Sequence, residues 1–203
     1  AKAGTIVIDM STISASATKK IAAELAKKKI EMLDAPVSGG EAGAINGSLS
    51  IMVGGKEEIL KKITPIFEVL GKQFVLIGDH GAGQTAKACN QIIIAETIIA
   101  VSEAMKLAKA AGVDPAKVRE ALLGGFASSR VLEIHGKRML DEDYKPGFKA
   151  VLHRKDIHLA LEQVKETAAD LHAAYYAADC LDRIVAEGHG ELDSSAMHLL
   201  QNK

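Results

Sequence analysis

The sequence has 203 residues, 48% of them hydrophobic, so it is long and apolar enough to bury a core as one or two domains. Its formal net charge of −1 argues against nucleic-acid binding and against attachment to a membrane surface, because both depend on an excess of basic residues. No apolar run approaches the roughly 20 residues that a transmembrane helix needs. The two cysteines, Cys89 and Cys180, show neither a disulfide framework nor metal-ligand spacing. We expect both to be buried in helices of a cytoplasmic protein.

The first 80 residues alternate between strand and helix patterns. Short β-branched or aliphatic runs predict four strands, at residues 5–10, 31–37, 48–53 and 74–77. Between them, helical spacing is found at residues 15–29, capped by Ser14, and at residues 56–70, which contain Pro65. This alternation predicts an α/β sheet that is at least partly parallel. We expect the sheet to be incomplete, because the first strand begins at residue 5 and no glycine loop of the kind that opens a dinucleotide-binding fold occurs.

After Gly83 the pattern is helical throughout. Residues 84–111 predict one long helix, which ends at Gly112. Asp114 and Pro115 have the residue types of a helix cap and a first-turn proline, so they predict a second helix, to about Leu123. Further helical patterns occupy residues 128–140, 151–167, 171–187 and 194–201. The sequence therefore predicts an α/β domain over residues 1–80 and an all-α domain over residues 81–203, which includes a long interdomain helix at 83–111.

The first candidate for chemistry is the segment 34–40, which ends a predicted strand and runs through Pro36 into Ser38, Gly39 and Gly40. Glycine lets the backbone approach a ligand closely, and successive backbone amides can bind an anion such as a carboxylate. The same residue types are also typical of an ordinary turn. On this segment alone both interpretations stay open.

The second candidate is the segment 81–91, at the start of the predicted long helix. Lys87 lies three residues before Asn90 and four before Gln91, so the three side chains share one helix face. This face is otherwise apolar, so a lysine on it is partly withdrawn from water, which lowers its pKa toward the range useful for proton transfer. Asn90 could hold a substrate hydroxyl beside it. The alternative interpretation is a solvated lysine on an exposed helix start.

The third candidate is the pair Lys155-Asp156, which lies between His153 and His158. A metal site built on the two histidines is excluded by their spacing, because five residues place them on different faces of a helix. Taken alone, Lys155 and Asp156 are typical of a surface ion pair.

Together these segments occur in the order found in a known family. The run Ile8-Asp9-Met10-Ser11-Thr12, then residues 34–40, 81–91 and Lys155-Asp156, resembles the β-hydroxyacid dehydrogenase family over essentially the whole sequence. Residues 145–148, 152–156 and 187–190 favour the reductase members of that family.

The resemblance implies a partial Rossmann-type α/β sheet, then a long connecting helix and an all-α C-terminal domain that pairs with other subunits in a homodimer or homotetramer. It implies NAD or NADP as cofactor, no metal, and a small carboxylate as substrate. Lys87 would be the catalytic general acid, with Asn90 orienting the reacting oxygen. Ser38, Gly39 and Gly40 would bind the substrate carboxylate. Thr12 and Lys155 would contact the cofactor.

The implied activity is the reduction of a small aldehyde acid, 2-hydroxy-3-oxopropionate, to glycerate. The alternatives are oxidation of 3-hydroxyisobutyrate or 4-hydroxybutyrate, and a truncated, non-catalytic dimerisation module. The family's glycine loop, and the residue that selects NAD or NADP, do not occur in this sequence. We therefore expect this polypeptide by itself to bind the cofactor weakly or not at all, and to be inactive alone.

Overall fold

A computed structural model describes residues 1–165, 167 and 169–200. Its internal contacts divide the chain into two compact units. The first unit contains Ala1–Asn90 and Leu159–Ala168, and the second contains Gln91–His158 and Ala169–Lys203. This division falls inside a helix rather than at residue 80, and the predicted domain boundary remains a prediction. Among the described residues, no helix combines the length and the apolarity needed to cross a bilayer.

The first unit is built on a mixed five-stranded sheet. Its strands are β1 (Ile6–Asp9), β2 (Glu31–Asp34), β3 (Val37–Ser38), β4 (Leu49–Gly54) and β5 (Gly71–Gly78). β1 pairs with β2 in parallel, and β4 pairs with β5 in parallel. β2 and β3 both pair with β4 in the antiparallel sense, which joins the two parallel pairs. The predicted fold class, a partial Rossmann-type sheet followed by helices, is confirmed.

The single strand predicted over residues 31–37 is divided in the structure. Pro36 separates β2 from β3, because proline has no N–H to donate to a strand ladder. The carbonyl of Pro36 still accepts a hydrogen bond from the backbone N–H of Met52, at 3.0 Å. β2 and β3 nevertheless follow β4 in one antiparallel register, in which Asp34 is paired with Gly54 and Val37 with Ile51.

The helices of the first unit are α1 (Ala15–Lys27), α2 (Gly40–Ile45), α3 (Glu57–Leu70) and the beginning of α4 (Ala82–Ala110). The predicted cap of α1 is confirmed, since Ser14 Oγ accepts from the backbone N–H of Ala17 at 3.1 Å. α2 was not predicted, because it begins at Gly40, also contains Gly43 and has only six residues. α3 contains Pro65 and packs on the sheet. Its buried side chains meet those of β2 and β4 in a core that consists of Leu33, Ala35, Leu49, Ile51, Val53, Ile59, Leu60, Ile63 and Phe67.

The second unit is helical. It contains the remainder of α4, then α5 (Pro115–Leu123), α6 (Arg130–Asp141), most of α7 (Ala150–Val164) and α8 (His172–Ile184). The predicted stop after α4 is confirmed by the positive φ of 72° at Gly112. The predicted start of α5 is confirmed by Asp114, whose side chain accepts from the backbone N–H of Ala116. The largest fully buried side chains of this unit are Ile98, Met105, Leu132, Ile157, Leu181 and Ile184.

The last two predicted helices differ in type and length. α8 stops at Ile184 and is followed by a π-helical turn, Val185–His189, in which Gly188 has a φ of 88°. The segment predicted as a helix over 194–201 is a 3₁₀ helix, Ser194–Leu199, and residue 201 lies outside the described residues. α7 ends at Val164 rather than at residue 167.

Cys180 is buried as expected, but Cys89 is exposed, so the prediction that both cysteines are buried was wrong for Cys89. Helical spacing alone does not say which face of α4 is covered.

Asp193 is the polar centre of the second unit. Its side chain is 1% exposed and accepts hydrogen bonds from the backbone N–H groups of Gly147 and Phe148, both at 3.0 Å. It also accepts from the N–H and the hydroxyl of Ser195 and pairs with the Arg138 guanidinium at 2.8 Å. Burial opposes ionisation of Asp193, but the bonds from Ser195 and Phe148 and the nearby His135 outweigh it, so the pKa of Asp193 lies below its usual value.

We expect Asp193→Asn to lower the free energy of unfolding by about 3 kcal/mol at neutral pH, because buried charge-assisted bonds are lost. A carboxylate with a lowered folded-state pKa stabilises the fold above its unfolded pKa of about 3.9, and this contribution disappears as the pH falls through the folded-state value. Urea unfolding of the two proteins should therefore converge below about pH 4. Asp179→Asn, on the exposed face of α8, is the matched control. A difference that does not depend on pH would contradict this assignment.

Candidate active site

The predicted site residues of the first unit lie on three elements. Thr12 is in the loop between β1 and α1, at the carboxyl end of a parallel strand. Ser38 ends β3, and Gly39 and Gly40 follow it. Lys87 and Asn90 are in α4, which begins close to the carboxyl end of β2. In sheets of this class, ligands bind outside the carboxyl ends of the parallel strands.

The Ser38-Gly39-Gly40 turn depends on its glycines. Gly39 has a φ of 140° and Gly40 a φ of 62°, conformations that other residues rarely adopt. A Cβ on Gly39 would also lie 3.1 Å from a methyl group of Leu49. Both glycines are exposed, whereas Ser38 is half-buried and is paired with Ser50 in the sheet register. Main-chain groups of this turn are therefore accessible to a ligand.

The start of α4 is held by Asp34, at the end of β2. Asp34 is fully buried, and its two carboxylate oxygens accept from the backbone N–H groups of Gly81, at 2.9 Å, and Gln84, at 3.1 Å. A carboxylate at this place satisfies N–H groups that have no partner within the helix and stabilises the positive end of the helix dipole. The approach is close: a Cβ on Gly83 would lie 2.5 Å from the carbonyl oxygen of Met52 and 2.8 Å from that of Asp34.

Gln84 joins the Thr12 loop to the start of α4. Its carboxamide donates to the carbonyl of Ser11 at 2.8 Å and accepts from the N–H of Ile13 at 3.3 Å. A glutamine in the first turn of a helix has no sequence signal for such contacts, because its partners lie 71 and 73 residues earlier in the chain.

Lys87 is buried, with 7% of its surface exposed. Asn90 is half-buried, and Gln91, Ala95 and Ile98 continue the covered side of α4. The predicted polar face on an otherwise apolar helix side is therefore confirmed, and Lys87 is not a solvated surface lysine. Its role as a general acid remains a prediction.

In the second unit, the carboxylate of Asp156 contacts both Lys155 and Gln91. Asp156 is 3% exposed, whereas the side chain of Lys155 is 49% exposed. Lys155 Nζ lies 3.0 Å from Asp156 Oδ1, and Gln91 Nε2 donates to Asp156 Oδ2 at 2.8 Å. The pair is thus anchored in the interior through its carboxylate, which a simple surface pair would not be.

The two histidines that flank this pair have separate partners. His153 is fully buried and its Nε2 lies 3.2 Å from the carbonyl oxygen of Gln91. His158 pairs with Asp182 at 2.9 Å. Within the part of the chain that the structure describes, no three His, Cys, Asp or Glu side chains are grouped so that they could hold a metal ion.

Two family models match the chain. The model for the NAD-binding domain of NADP-dependent 3-hydroxyisobutyrate dehydrogenase matches residues 81–200, and the model for the NAD-binding domain of 6-phosphogluconate dehydrogenase matches residues 1–78. Together they span nearly all of the sequence, and their boundary falls in the loop before α4.

Individual relatives agree with these models. The chain is 49% identical over 194 residues to 2-hydroxy-3-oxopropionate reductase of Escherichia coli (strain K12), covering 96% of this chain and 66% of that protein. It is 37% identical to 2-(hydroxymethyl)glutarate dehydrogenase of Eubacterium barkeri, covering 97% of this chain and 65% of that protein. Among solved structures, Mycobacterium tuberculosis 3-hydroxyisobutyrate dehydrogenase with L-serine superposes with a TM-score of 0.91 at 33% identity, covering 98% of this chain and 70% of that one. The chain therefore spans about two thirds of the length of its relatives.

We expect Gly83→Ala to destabilise the protein by about 2 kcal/mol or more, because the added methyl group would meet two backbone oxygens that cannot move independently. Helix propensity alone predicts the opposite sign, since alanine favours a helix by about 1 kcal/mol over glycine. Gly125→Ala is the control, as its added Cβ would meet nothing closer than 3.9 Å. Urea unfolding should leave that control within about 0.5 kcal/mol of wild type. Equal stability of Gly83→Ala and wild type would show that α4 is not held against β2 and β4.

Proposed function

This chain belongs to the β-hydroxyacid dehydrogenase family that includes 3-hydroxyisobutyrate dehydrogenase, and from that membership we propose its function. The protein reduces the small aldehyde acid 2-hydroxy-3-oxopropionate to glycerate with NADH or NADPH, and Lys87 is the general acid. The observation that carries the proposal is the buried position of Lys87 on α4, one turn before Asn90 and Gln91. The 49% identity to a 2-hydroxy-3-oxopropionate reductase supports this choice of substrate.

The residues present fit one part of a nicotinamide dinucleotide. Thr12 follows a parallel strand at its carboxyl end, where sheets of this class bind their ligands. Lys155 is a half-exposed cation whose ammonium group pairs with Asp156. The glycine loop that would grip the pyrophosphate does not occur in this sequence. We therefore assign Thr12 and Lys155 to cofactor contacts and assign no residue of this sequence to the pyrophosphate.

A reduced nicotinamide, when bound, supplies a hydride to the carbonyl carbon of the aldehyde. Negative charge then grows on the carbonyl oxygen, and the Lys87 ammonium stabilises it and transfers a proton to it. The oxygen becomes the hydroxyl of the product, and Lys87 is left neutral until it takes a proton from water. In the oxidation direction the neutral amine accepts the hydroxyl proton.

Substrate orientation is assigned to the glycine turn and to Asn90. The accessible turn at Ser38, Gly39 and Gly40 binds the substrate carboxylate through backbone N–H groups and the serine hydroxyl. Asn90 donates to the reacting oxygen beside Lys87. Holding both ends of a three-carbon acid fixes which face of its carbonyl is reduced.

Two other substrates belong to the same chemistry. 3-Hydroxyisobutyrate carries a methyl group where glycerate carries its 2-hydroxyl. 4-Hydroxybutyrate lacks that hydroxyl and is one methylene longer, but all three are carboxylates with a terminal primary alcohol. The match to the 3-hydroxyisobutyrate dehydrogenase model and the 33% identity to a solved member support the first of these as the second candidate.

The proposed function includes self-association of the helical unit in a homodimer or homotetramer. Ile93, Ala100 and Leu107 lie seven residues apart on one side of α4, and all three are exposed. Ile93 is 64% exposed and Leu107 is 71% exposed, which is costly for large apolar side chains aligned along a helix.

We expect Leu107→Glu to shift the protein toward a monomer, because a charge would be buried in the proposed contact. Analytical ultracentrifugation should show the smaller species at concentrations where wild type is dimeric or tetrameric. Glu120→Gln, an exposed change on α5, should leave the mass unchanged. A wild-type protein that sediments as a monomer would contradict the assignment.

The function is tested on the full-length product of the gene that contains this sequence, first by titration with NADH and NADPH and then with 2-hydroxy-3-oxopropionate. We expect Lys87→Met, which keeps the buried aliphatic chain but removes the acid, to lower kcat at least about 100-fold with nucleotide affinity nearly unchanged. Lys20→Met, at an exposed position of α1, is the control.

Each outcome separates one part of the proposal. Near-normal turnover by Lys87→Met would overturn the role of Lys87. Faster oxidation of 3-hydroxyisobutyrate or 4-hydroxybutyrate than reduction of 2-hydroxy-3-oxopropionate would replace the substrate. A full-length protein that binds neither nucleotide would leave the non-catalytic dimerisation module as the function.

A further inference from the structure

We infer that Gln84 is a positioning residue for the cofactor, because its carboxamide holds the backbone on both sides of Thr12. The inference rests on the proposed function, which assigns Thr12 to the cofactor. It assigns to Gln84 no contact with the cofactor or the substrate.

The Gln84 side chain bonds to the backbone of the loop with one donor and one acceptor, as the backbone of a neighbouring strand would. The Gln84 Nε2 group donates to the Ser11 carbonyl, at 2.8 Å, and its Oε1 accepts from the Ile13 N–H, at 3.3 Å. Ser11 and Ile13 flank Thr12, so both peptide groups next to that residue are fixed. β1 has ended at Asp9, and the loop therefore has no strand ladder of its own at this point.

Only a carboxamide of this length meets the requirement. The loop presents one acceptor and one donor, and glutamine supplies one donor and one acceptor on the same planar group. A glutamate at position 84 would keep the bond from Ile13 but would set a carboxylate oxygen against the Ser11 carbonyl. Gln84 itself is 3% exposed, so its carboxamide has little access to water as an alternative partner.

Gln84 is itself fixed at its backbone. Its N–H donates to Asp34 Oδ2 at 3.1 Å, while Asp34 Oδ1 accepts from Gly81 at 2.9 Å. A chain of hydrogen bonds, buried at Asp34 and part-buried at Ser11 and Ile13, thus leads from the end of β2, through the first turn of α4, to the loop after β1. Lys87 lies three residues further along α4, on the same side as Gln84. Gln84 therefore sets the cofactor loop in a defined position relative to the helix turn that carries the proposed acid.

The test uses the full-length protein with Gln84→Glu and Gln84→Met, and NADH and NADPH as probes. We expect both variants to raise the nucleotide Kd about tenfold, because the loop loses one or both of its fixing bonds. Amide hydrogen exchange at Ile13 should be faster in Gln84→Met than in wild type. Gln73→Glu, an exposed residue of β5, carries the same change of charge and should leave the Kd within twofold. If Gln84→Glu does not fold, the uncharged and nearly isosteric Gln84→Met decides the comparison.

A double-mutant cycle with Thr12→Val distinguishes positioning from general loss of stability. If Gln84 acts through Thr12, Gln84→Met should change the Kd less than threefold in the Thr12→Val background. Tenfold effects that multiply in the double variant, or an unchanged Kd in both Gln84 variants, would overturn the inference and leave the proposed function intact. A wild-type protein that binds neither nucleotide would overturn both.

Discussion

The buried carboxylate of Asp34 is the contact on which the first unit depends. It lies at the end of β2 and accepts from two backbone N–H groups at the start of α4, so the first turn of the longest helix is tied to the sheet. Glycine is required around it, because a Cβ at Gly54 or Gly83 would come within 3 Å of Asp34 oxygens. A fully buried carboxylate is costly unless its oxygens are satisfied, and here they are satisfied by the helix end that most needs an acceptor. Strand and helix therefore fix each other.

From this contact a sequence of buried polar groups follows α4. Gln84 fixes the loop after β1, Lys87 is covered one turn later, and Gln91 donates to the buried Asp156 beside Lys155. Buried polar side chains on a helix side are costly unless they have hydrogen-bond partners, and Gln84 and Gln91 have theirs in the loop after β1 and in Asp156. Ala95 and Ile98 continue the same side, and Ser102, which is also buried there, lies with its hydroxyl 3.0 Å from His198 Nδ1. The buried side of α4 therefore carries both polar and apolar residues along its length.

The predictions that depend on interactions within a few residues are confirmed at helix ends. Ser14 and Asp114 cap their helices, and Gly112 adopts a positive φ. The errors have tertiary causes. Strand 31–37 is interrupted at Pro36, where pairing passes from β1 to β4. Helix α2 begins at Gly40, a poor start by propensity, and packs against β4. Cys89 has an apolar composition around it but lies on an uncovered face.

By itself the sequence determined the fold class and the two kinds of structure in it, because both depend on short-range patterns. The roles proposed for the candidate residues rest on the resemblance to a known family, and these residues are Thr12, Ser38, Gly39, Gly40, Lys87, Asn90 and Lys155. Only the tertiary structure decided which polar residues are buried and what they contact. Gln84 meets Ser11 across 73 residues, and Gln91 meets Asp156 across 65. Such contacts produce no pattern in a sequence, because a hydrogen bond needs only one donor and one acceptor, and the fold can bring these together from any two positions. The supporting residues of the site are therefore visible only once the sheet and α4 are in place.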